Sequence, residues 1–412
     1  MKLTRFTVSR VMTLFFIFSV TYGYQAILFL VGFLQKNMEV FSFTFLKLIP
    51  LFAFIFLARP RTQHLYWLLV LYAFSILHFL YIGNYQFLGT SISTYIDLMV
   101  TGTILYLYSV SSQPPRDVQQ ALLNAIGISY SLKSLILVIS FIFGIGEYTY
   151  MTADGLLYGF GTKSFFVGGN VIGLTQVLIS LIFVFLAYEQ NKKFYAVLAI
   201  MISIGAIFVG NRTGLLLGFI VLTLALAQLM LSSLWVTFVA LISVISCFAL
   251  FPVMEIFDLI FTNIFSYDRI QEKFEQLFSG SARGDLTRET FIYLERNLSM
   301  LGNGPIKFMS EISSQIKTWE AQRFSWTESD LADIVGMWGV FGYMLISSFW
   351  YMAFRRSFTS HALISIAVFG LLVVHSVFAG HVWVHSQVAQ SIVIVLLAIH
   401  GISRPNNDRT EG

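Results

Sequence analysis

Three arginines have the chemistry and the surroundings of a phosphate-binding site. Arg212 lies in a short polar turn between two apolar runs, and Arg283 and Arg288 lie in a segment rich in glycine and serine. A guanidinium group donates two parallel hydrogen bonds to a phosphate and stays charged at neutral pH. We therefore expect these arginines to bind a phosphate or pyrophosphate. The alternatives are that Arg212 anchors two helices, and that Arg283 and Arg288 form ion pairs along a helix surface.

Three further residues are candidates for proton transfer. His381 lies in a short turn near the C-terminus, and histidine exchanges protons near neutral pH. Glu328 and Asp330 come just before a long apolar run and are the alternatives for the same role. The sequence does not choose among the three, since acidic residues at this position also cap a helix and complement its dipole.

Metal and cofactor chemistry is not indicated by the residue pattern. The chain has a single cysteine, Cys247, which excludes an intramolecular disulfide and a cysteine-based zinc site. No set of His, Asp or Glu residues has the spacing of metal ligands. We therefore predict a metal-independent protein without a cofactor, and the lack of a basic patch argues against nucleic-acid binding.

The composition requires a membrane. Hydrophobic residues make up 57% of the 412 positions and charged residues only 11%, with a mean hydropathy of +0.77. Soluble domains carry about 25% charged residues. A span needs about 20 mostly apolar residues, and twelve segments qualify. They are residues 11–34, 38–58, 65–83, 87–110, 122–144, 169–188, 194–209, 214–231, 234–252, 329–351, 360–379 and 386–403.

Basic residues set the orientation of these spans, because cytoplasmic loops are enriched in Lys and Arg. A cytoplasmic N-terminus leaves Lys36, Lys163 and Arg212 in short outside loops. The inside loops then hold Lys2, Arg5, Arg10, Arg59, Arg61, Arg116, Lys192, Lys193, Arg355, Arg356, Arg404 and Arg409. We therefore predict that both termini are cytoplasmic. All six candidate site residues then lie at the extracytoplasmic ends of the spans or in outside loops.

The segment between the ninth and tenth spans is too long for a loop without structure. Apolar residues recur at helical spacing on both sides of 279–288, and Gly302 with Gly304–Pro305 is a stop signal. We predict amphipathic helices over the mouth of the bundle. The predicted organisation is therefore spans one to nine in residues 1–252, a helical loop subdomain in 253–328, and spans ten to twelve with a cytoplasmic tail in 329–412.

Three charged residues fall within the predicted spans. Asp97 lies near the middle of the fourth span and Lys133 within the fifth, so that the two can form a pair. Lys47 can reach a carbonyl group that is freed by Pro50. Ionisable residues in a membrane are functional candidates by default. A structural role is nevertheless the favoured reading for all three.

Four ordered motifs resemble the O-antigen polymerase and O-antigen ligase superfamily of bacterial envelope glycosyltransferases. They are Phe165-Phe-Val-Gly-Gly-Asn170, then Asn211-Arg-Thr-Gly214, then the segment 279–288 followed by Gly302-Asn-Gly-Pro305, and finally Glu328-Ser-Asp330-Leu-Ala-Asp333 with the later Gly380-His381. The likeness covers roughly residues 165–395. It implies an all-α membrane protein of the GT-C-like bundle type, with about twelve transmembrane helices and a large periplasmic loop between spans nine and ten.

The resemblance also implies a reaction. Such enzymes are inverting glycosyltransferases whose donor is an oligosaccharide on undecaprenyl pyrophosphate. A polymerase transfers the glycan to another lipid-linked repeat unit, whereas a ligase transfers it to the lipid A core. A chain-length regulator protein and membrane lipids are the expected partners, and the bacterial inner membrane is the expected location. We favour polymerase over ligase. A flippase or other transporter is the rival class, although no internal repeat of the kind that transporters show is visible.

Overall fold

The computed structural model describes residues 65–82, 88–110, 116–148, 161–164, 166, 169–230, 282–315, 329–359, 361–378, 380 and 382–402. Within them lie eleven α-helices and one pair of short strands. The helices are α1 (Tyr66–Ile82), α2 (Leu88–Val110), α3 (Arg116–Phe143), α4 (Gly169–Gln190), α5 (Lys193–Phe208), α6 (Arg212–Met230), α7 (Ala282–Asn297), α8 (Pro305–Gln315), α9 (Asp330–Phe358), α10 (Ala362–Phe378) and α11 (Ser386–Ile402). The antiparallel strands are β1 (Glu147–Tyr148) and β2 (Thr162–Ser164).

The helix positions follow the apolar runs of the sequence. Nine of the twelve predicted spans have a helix at the same place, from α1 at 65–83 to α11 at 386–403. The predicted spans 11–34, 38–58 and 234–252 lie outside the described residues. Among the described residues, three helical segments are long and apolar enough to cross a membrane, namely Gln119–Phe143, Gly169–Gln190 and Asp330–Phe358. They indicate a membrane protein.

The chain divides into two compact units, with the boundary between Leu122 and Leu123 inside α3. One unit contains α1, α2 and α7 to α11, and the other contains the rest of α3, the strand pair and α4 to α6. The predicted domain boundaries at 252 and 328 lie outside the described residues. The division reflects packing rather than order along the chain, because α1 and α2 pack with helices from the C-terminal part.

The first unit is built around α2. This helix packs against α1, α9 and α11, and Gly102 lets the side chains of Leu71 and Phe349 approach its backbone closely. Near the cytoplasmic end predicted for α9, the Arg356 guanidinium donates a hydrogen bond to the Tyr108 carbonyl oxygen and lies over the Tyr108 ring. The short helices α7 and α8 pack against each other and against α9.

Helix α9 is interrupted at Gly339, whose backbone has φ 69° and ψ −172°. An unbroken helix would join the Val340 N–H to the Gly336 carbonyl and the Phe341 N–H to the Met337 carbonyl. Instead, the segment that connects α7 to α8 replaces both bonds. The N–H groups of Val340 and Phe341 donate to the carbonyl oxygens of Ser299 and Met300, at 3.2 and 3.1 Å. The carbonyl oxygens of Gly336 and Met337 accept the N–H groups of Asn303 and Gly304, both at 2.9 Å. All four backbone groups at the interruption are therefore satisfied.

In the second unit, α4, α5 and α6 pack against one another in a bundle, and the later part of α3 contacts α4 and α5. Close approach is possible at Gly127, where the rings and methyl groups of Phe183 and Leu198 contact the α3 backbone. The strand pair lies at the C-terminal end of α3, where the hydroxyl groups of Ser140 and Ser164 are 2.6 Å apart. The N-terminal ends of α4 and α6 lie at one end of this bundle.

Candidate functional site

The turn that carries Arg212 is organised by the side chain of Asn211. Its Nδ2 atom donates to the carbonyl oxygens of Gly169 and Asn170, at 2.9 and 3.3 Å, in the first turn of α4. Its Oδ1 atom accepts the Gly214 N–H at 2.6 Å in the first turn of α6. Asn211 therefore caps α6 and ties its N-terminus to that of α4.

Two helix N-termini and an arginine are consequently held together in this unit. Each helix N-terminus carries a partial positive charge, and the first residue of α6 is Arg212 itself. The approach of the two helices requires Gly173, because a Cβ atom there would lie 2.6 Å from Asn211 Cγ. The arrangement favours an anion at this end of the bundle.

The role of Asn211 was not predicted from the sequence, where it stands only as part of a polar turn. A signal was present, since an asparagine three residues before Gly214 at the start of an apolar run has the spacing of an N-cap. That signal predicts the bond to Gly214. It does not predict the bonds to α4, which come from a helix about forty residues earlier in the sequence.

In the other unit, Asp330 is a positioning residue. It is the first residue of α9 and is buried, and its Oδ2 atom accepts the backbone N–H of Val382 at 2.9 Å. Val382 follows His381 directly, so Asp330 holds the backbone next to the candidate base. A carboxylate oxygen committed to a backbone N–H is less available to take a proton from a substrate. The side chains of His381 and Glu328 lie outside the described residues.

The segment 382–384 reaches deep into its unit. The Trp350 Nε1–H donates to the Trp383 carbonyl oxygen at 2.8 Å, although Trp350 is twenty residues after Asp330 on α9. A straight helix would separate these two residues by about 30 Å. Because they contact consecutive residues, Val382 and Trp383, the part of α9 before Gly339 folds back toward the part after it.

Bonds to α2 confirm this depth. The Thr101 hydroxyl donates to the Val384 carbonyl oxygen at 3.1 Å, and the Ser386 hydroxyl donates to Asp97 Oδ1 at 2.5 Å. Asp97 lies about 14 Å along α2 from its start. Ser386 is the first residue of α11, so the Asp97 carboxylate lies at a helix N-terminus, where negative charge is stabilised. These contacts support a structural role for Asp97.

Lys133 is buried among aromatic side chains in its own unit. Its ammonium nitrogen lies 4.7 Å from the centre of the Phe166 ring and 5.5 Å from that of Tyr130. Aromatic faces attract a cation, and more strongly when water is excluded. A packing role for Lys133 therefore has direct support. Lys47, the third of the charged residues predicted within spans, lies outside the described residues.

Arg283 and Arg288 both lie on α7, the helix that packs against α8 and α9. Five residues separate them, which turns the helix by about 140° between the two positions. They do not share a face. Of the two helices predicted on either side of 279–288, the later one is present as α7, from Ala282 to Asn297, and the earlier one lies outside the described residues. Helix α8 was not predicted, since it follows the stop signal at Gly304–Pro305.

The hairpin of α7 and α8 is held by a polar cluster around Tyr293. The Tyr293 hydroxyl donates to Glu311 Oε2 and accepts the Asn303 Nδ2–H at 2.6 Å. Burial raises the pKa of the Tyr293 phenol above its ordinary range, and the hydrogen bond to Glu311 raises it further. The phenol therefore stays protonated and keeps both partners in place through the physiological pH range.

Among the described residues, no three His, Cys, Asp or Glu side chains are grouped as metal ligands would be. Comparisons with known proteins add no constraint. No model of a known protein family matches the chain, and no curated protein sequence matches it significantly. The resemblance of its motifs to envelope glycosyltransferases remains a prediction.

Proposed function

We propose that this protein is a polysaccharide polymerase of the bacterial inner membrane. It transfers a glycan from undecaprenyl pyrophosphate to a sugar hydroxyl of another lipid-linked repeat unit on the periplasmic face. In this proposal the chain is a GT-C-like bundle of about twelve transmembrane helices with both termini in the cytoplasm. A chain-length regulator protein is its expected partner.

The observation that carries the proposal is the cluster of positive groups at the start of α6. Asn211 holds the N-termini of α4 and α6 side by side, and Arg212 is the first residue of α6. The negative charge on a lipid pyrophosphate grows as the glycosidic bond breaks. Fixed dipoles and a guanidinium at headgroup level stabilise that charge without reorganising during the reaction.

The proposed step is a direct displacement. The acceptor hydroxyl oxygen attacks the anomeric carbon while the bond from that carbon to the pyrophosphate oxygen breaks, which inverts the configuration. The hydroxyl proton passes to His381, with Glu328 as the alternative base. Asp330 holds the backbone after His381 through the Val382 N–H. Arg283 and Arg288 are proposed as further ligands of the pyrophosphate.

The test uses the whole protein in vesicles supplied with a lipid-linked repeat unit. We expect a ladder of longer lipid-linked chains. Product found only on added lipid A core would indicate the ligase instead. Labelled lipid crossing the bilayer without any transfer would contradict both glycosyltransferase readings and favour a transporter.

One arginine variant and one lysine variant give a matched comparison. Arg212 and Lys193 are basic residues at helix starts on opposite ends of α5, since α5 begins at Lys193 and ends four residues before Arg212. Arg212→Ala is expected to lower transfer by at least about a hundredfold, as the loss of one charge-stabilising donor does. Lys193→Ala should leave transfer unchanged. Equal activity of the two variants would remove Arg212 from the proposed site.

A further inference from the structure

The segment between α7 and α8 has an unusual position for part of a loop. Its backbone completes the interruption of α9 at Gly339. The two chains approach so closely that a Cβ atom on Gly302 would lie 2.5 Å from the Gly339 nitrogen. Gly302 and Gly339 also have positive φ angles, of 73° and 69°, which only glycine adopts easily. These contacts fix the position of the segment along α9, at the level of Gly339.

Helix α1 gives a second measure of the same depth. The His78 Nε2–H donates to the Leu301 carbonyl oxygen at 2.5 Å, and His78 Nδ1 lies 2.5 Å from the Tyr95 hydroxyl. A Cβ atom on Gly304 would lie 2.8 Å from a methyl carbon of Ile82, the last residue of α1. Leu301 therefore lies about 6 Å inside the end of α1, measured along its axis.

Seven backbone groups of residues 299–304 have hydrogen-bond partners within the protein. The groups with protein partners are the carbonyls of Ser299, Met300, Leu301 and Gly304 and the N–H groups of Gly302, Asn303 and Gly304. Non-helical backbone is tolerated at membrane depth only where protein or enclosed water satisfies its polar groups. These seven groups meet that condition, while the side chains of Leu298, Met300 and Leu301 are exposed.

Those outward side chains are large and apolar. Leu298 is 61% exposed, Met300 63% and Leu301 45%. The neighbouring helices also expose large apolar side chains, which include Leu77 on α1 and Met344 on α9. Helix α9 belongs to one of the three segments that are long and apolar enough to cross a membrane, and α1 contains no Asp, Glu, Lys or Arg.

We propose that residues 298–301 form a re-entrant tip that inserts into the bilayer and contacts lipid acyl chains. Loop helices α7 and α8 are then anchored to the membrane at the residue where α9 is interrupted. Burial in lipid removes these three side chains from water, which is the favourable direction for apolar surface. The proposal requires only that α1 and α9 lie in a membrane, so it stands independently of glycan transfer.

The test measures the depth of a fluorescent label attached to single cysteines. Cys247→Ser removes the native cysteine, and Met300→Cys then carries an environment-sensitive dye. The protein is reconstituted in phosphatidylcholine and phosphatidylglycerol vesicles with brominated acyl chains. Met344→Cys on α9 is the control for lipid contact, and Ser310→Cys, exposed on the nearby α8, is the control for water contact.

We expect the brominated lipid to quench the label at 300 as strongly as the label at 344, and aqueous iodide to quench it weakly. A label at 300 that iodide quenches as strongly as the label at 310 would overturn the proposal. Leu298→Cys repeats the measurement if the first variant fails to accumulate. Since no glycan is needed, a failure here is distinguishable from a failure of the transfer assay.

Discussion

Substituting Gly339 tests the interruption of α9 directly. Its backbone, with φ 69° and ψ −172°, lies in a region that is essentially limited to glycine. Holding alanine there costs about 1–3 kcal/mol. The new Cβ atom would also lie 2.5 Å from the Gly302 nitrogen and would overlap the Met300 carbonyl. The connecting segment must therefore move away from α9.

That movement breaks hydrogen bonds as well. Val340 N–H donates to Ser299 at 3.2 Å and Phe341 N–H donates to Met300 at 3.1 Å, and each bond contributes about 1 kcal/mol net. Together with the backbone strain, Gly339→Ala is expected to destabilise the protein by about 3–5 kcal/mol. Its apparent melting temperature should fall by roughly 5 °C or more.

The measurement is thermal unfolding in detergent, followed by loss of the monodisperse peak on size-exclusion chromatography. Gly370→Ala is the matched control, because Gly370 is helical and exposed and a Cβ atom there meets nothing within 4 Å. Alanine should leave stability unchanged or raise it by up to about 1 kcal/mol through helix propensity. Equal melting temperatures for Gly339→Ala and wild type would refute the described interruption.

Three further predictions concern the candidate site and the loop helices. If Asp330 positions the segment after His381, Asp330→Asn, which keeps a hydrogen-bond acceptor, should retain most transfer while Asp330→Ala loses it; equally inactive variants would instead make Asp330 the base. Because Arg283 and Arg288 lie about 140° apart on α7, Arg283→Ala and Arg288→Ala should lower transfer unequally, and equal losses in the two variants would contradict this prediction. The raised pKa of Tyr293 means that the folded hairpin holds its proton longer than the unfolded chain does, so stability is present below about pH 10 and is lost as pH rises further. Tyr293→Phe should flatten that decline in a pH series of melting curves, and an unchanged slope would exclude Tyr293 as its source.

Helix positions could be predicted because they depend on local sequence. Apolar runs of about twenty residues end at polar or basic residues, and nine of the predicted spans have helices at the expected places, most closely at α2 and α11. The largest differences are that α3 begins six residues earlier and α9 ends seven residues later than predicted. The short strands β1 and β2 were not predicted. They lie in a loop and are too short for their alternation to be visible.

The glycines of α9 show where prediction from the pattern was incomplete. Gly336, Gly339 and Gly342 have the spacing of a small-residue face, which predicts close packing of one continuous helix. Close packing is present, since Phe308 of α8 contacts Gly336, but Gly339 interrupts the helix rather than continuing it. The difference arises because the partner is non-helical backbone from residues 299–304, which no local pattern in α9 identifies.

Sequence alone determined where the helices of nine apolar runs lie, because hydrogen bonds within a helix and the length of an apolar run are local properties. It also identified Arg212 as a candidate for pyrophosphate binding and Asp330 as a candidate for proton transfer, because the sequence gives the chemical type of each residue directly. Only the tertiary structure decided what these positions do. Asn211 joins α4 to α6, Asp330 holds Val382, and residues 299–304 complete α9. Each contact joins residues that are more than thirty positions apart, for a reason that local sequence does not carry. A polar group removed from water bonds to whichever partner the packed fold brings within reach.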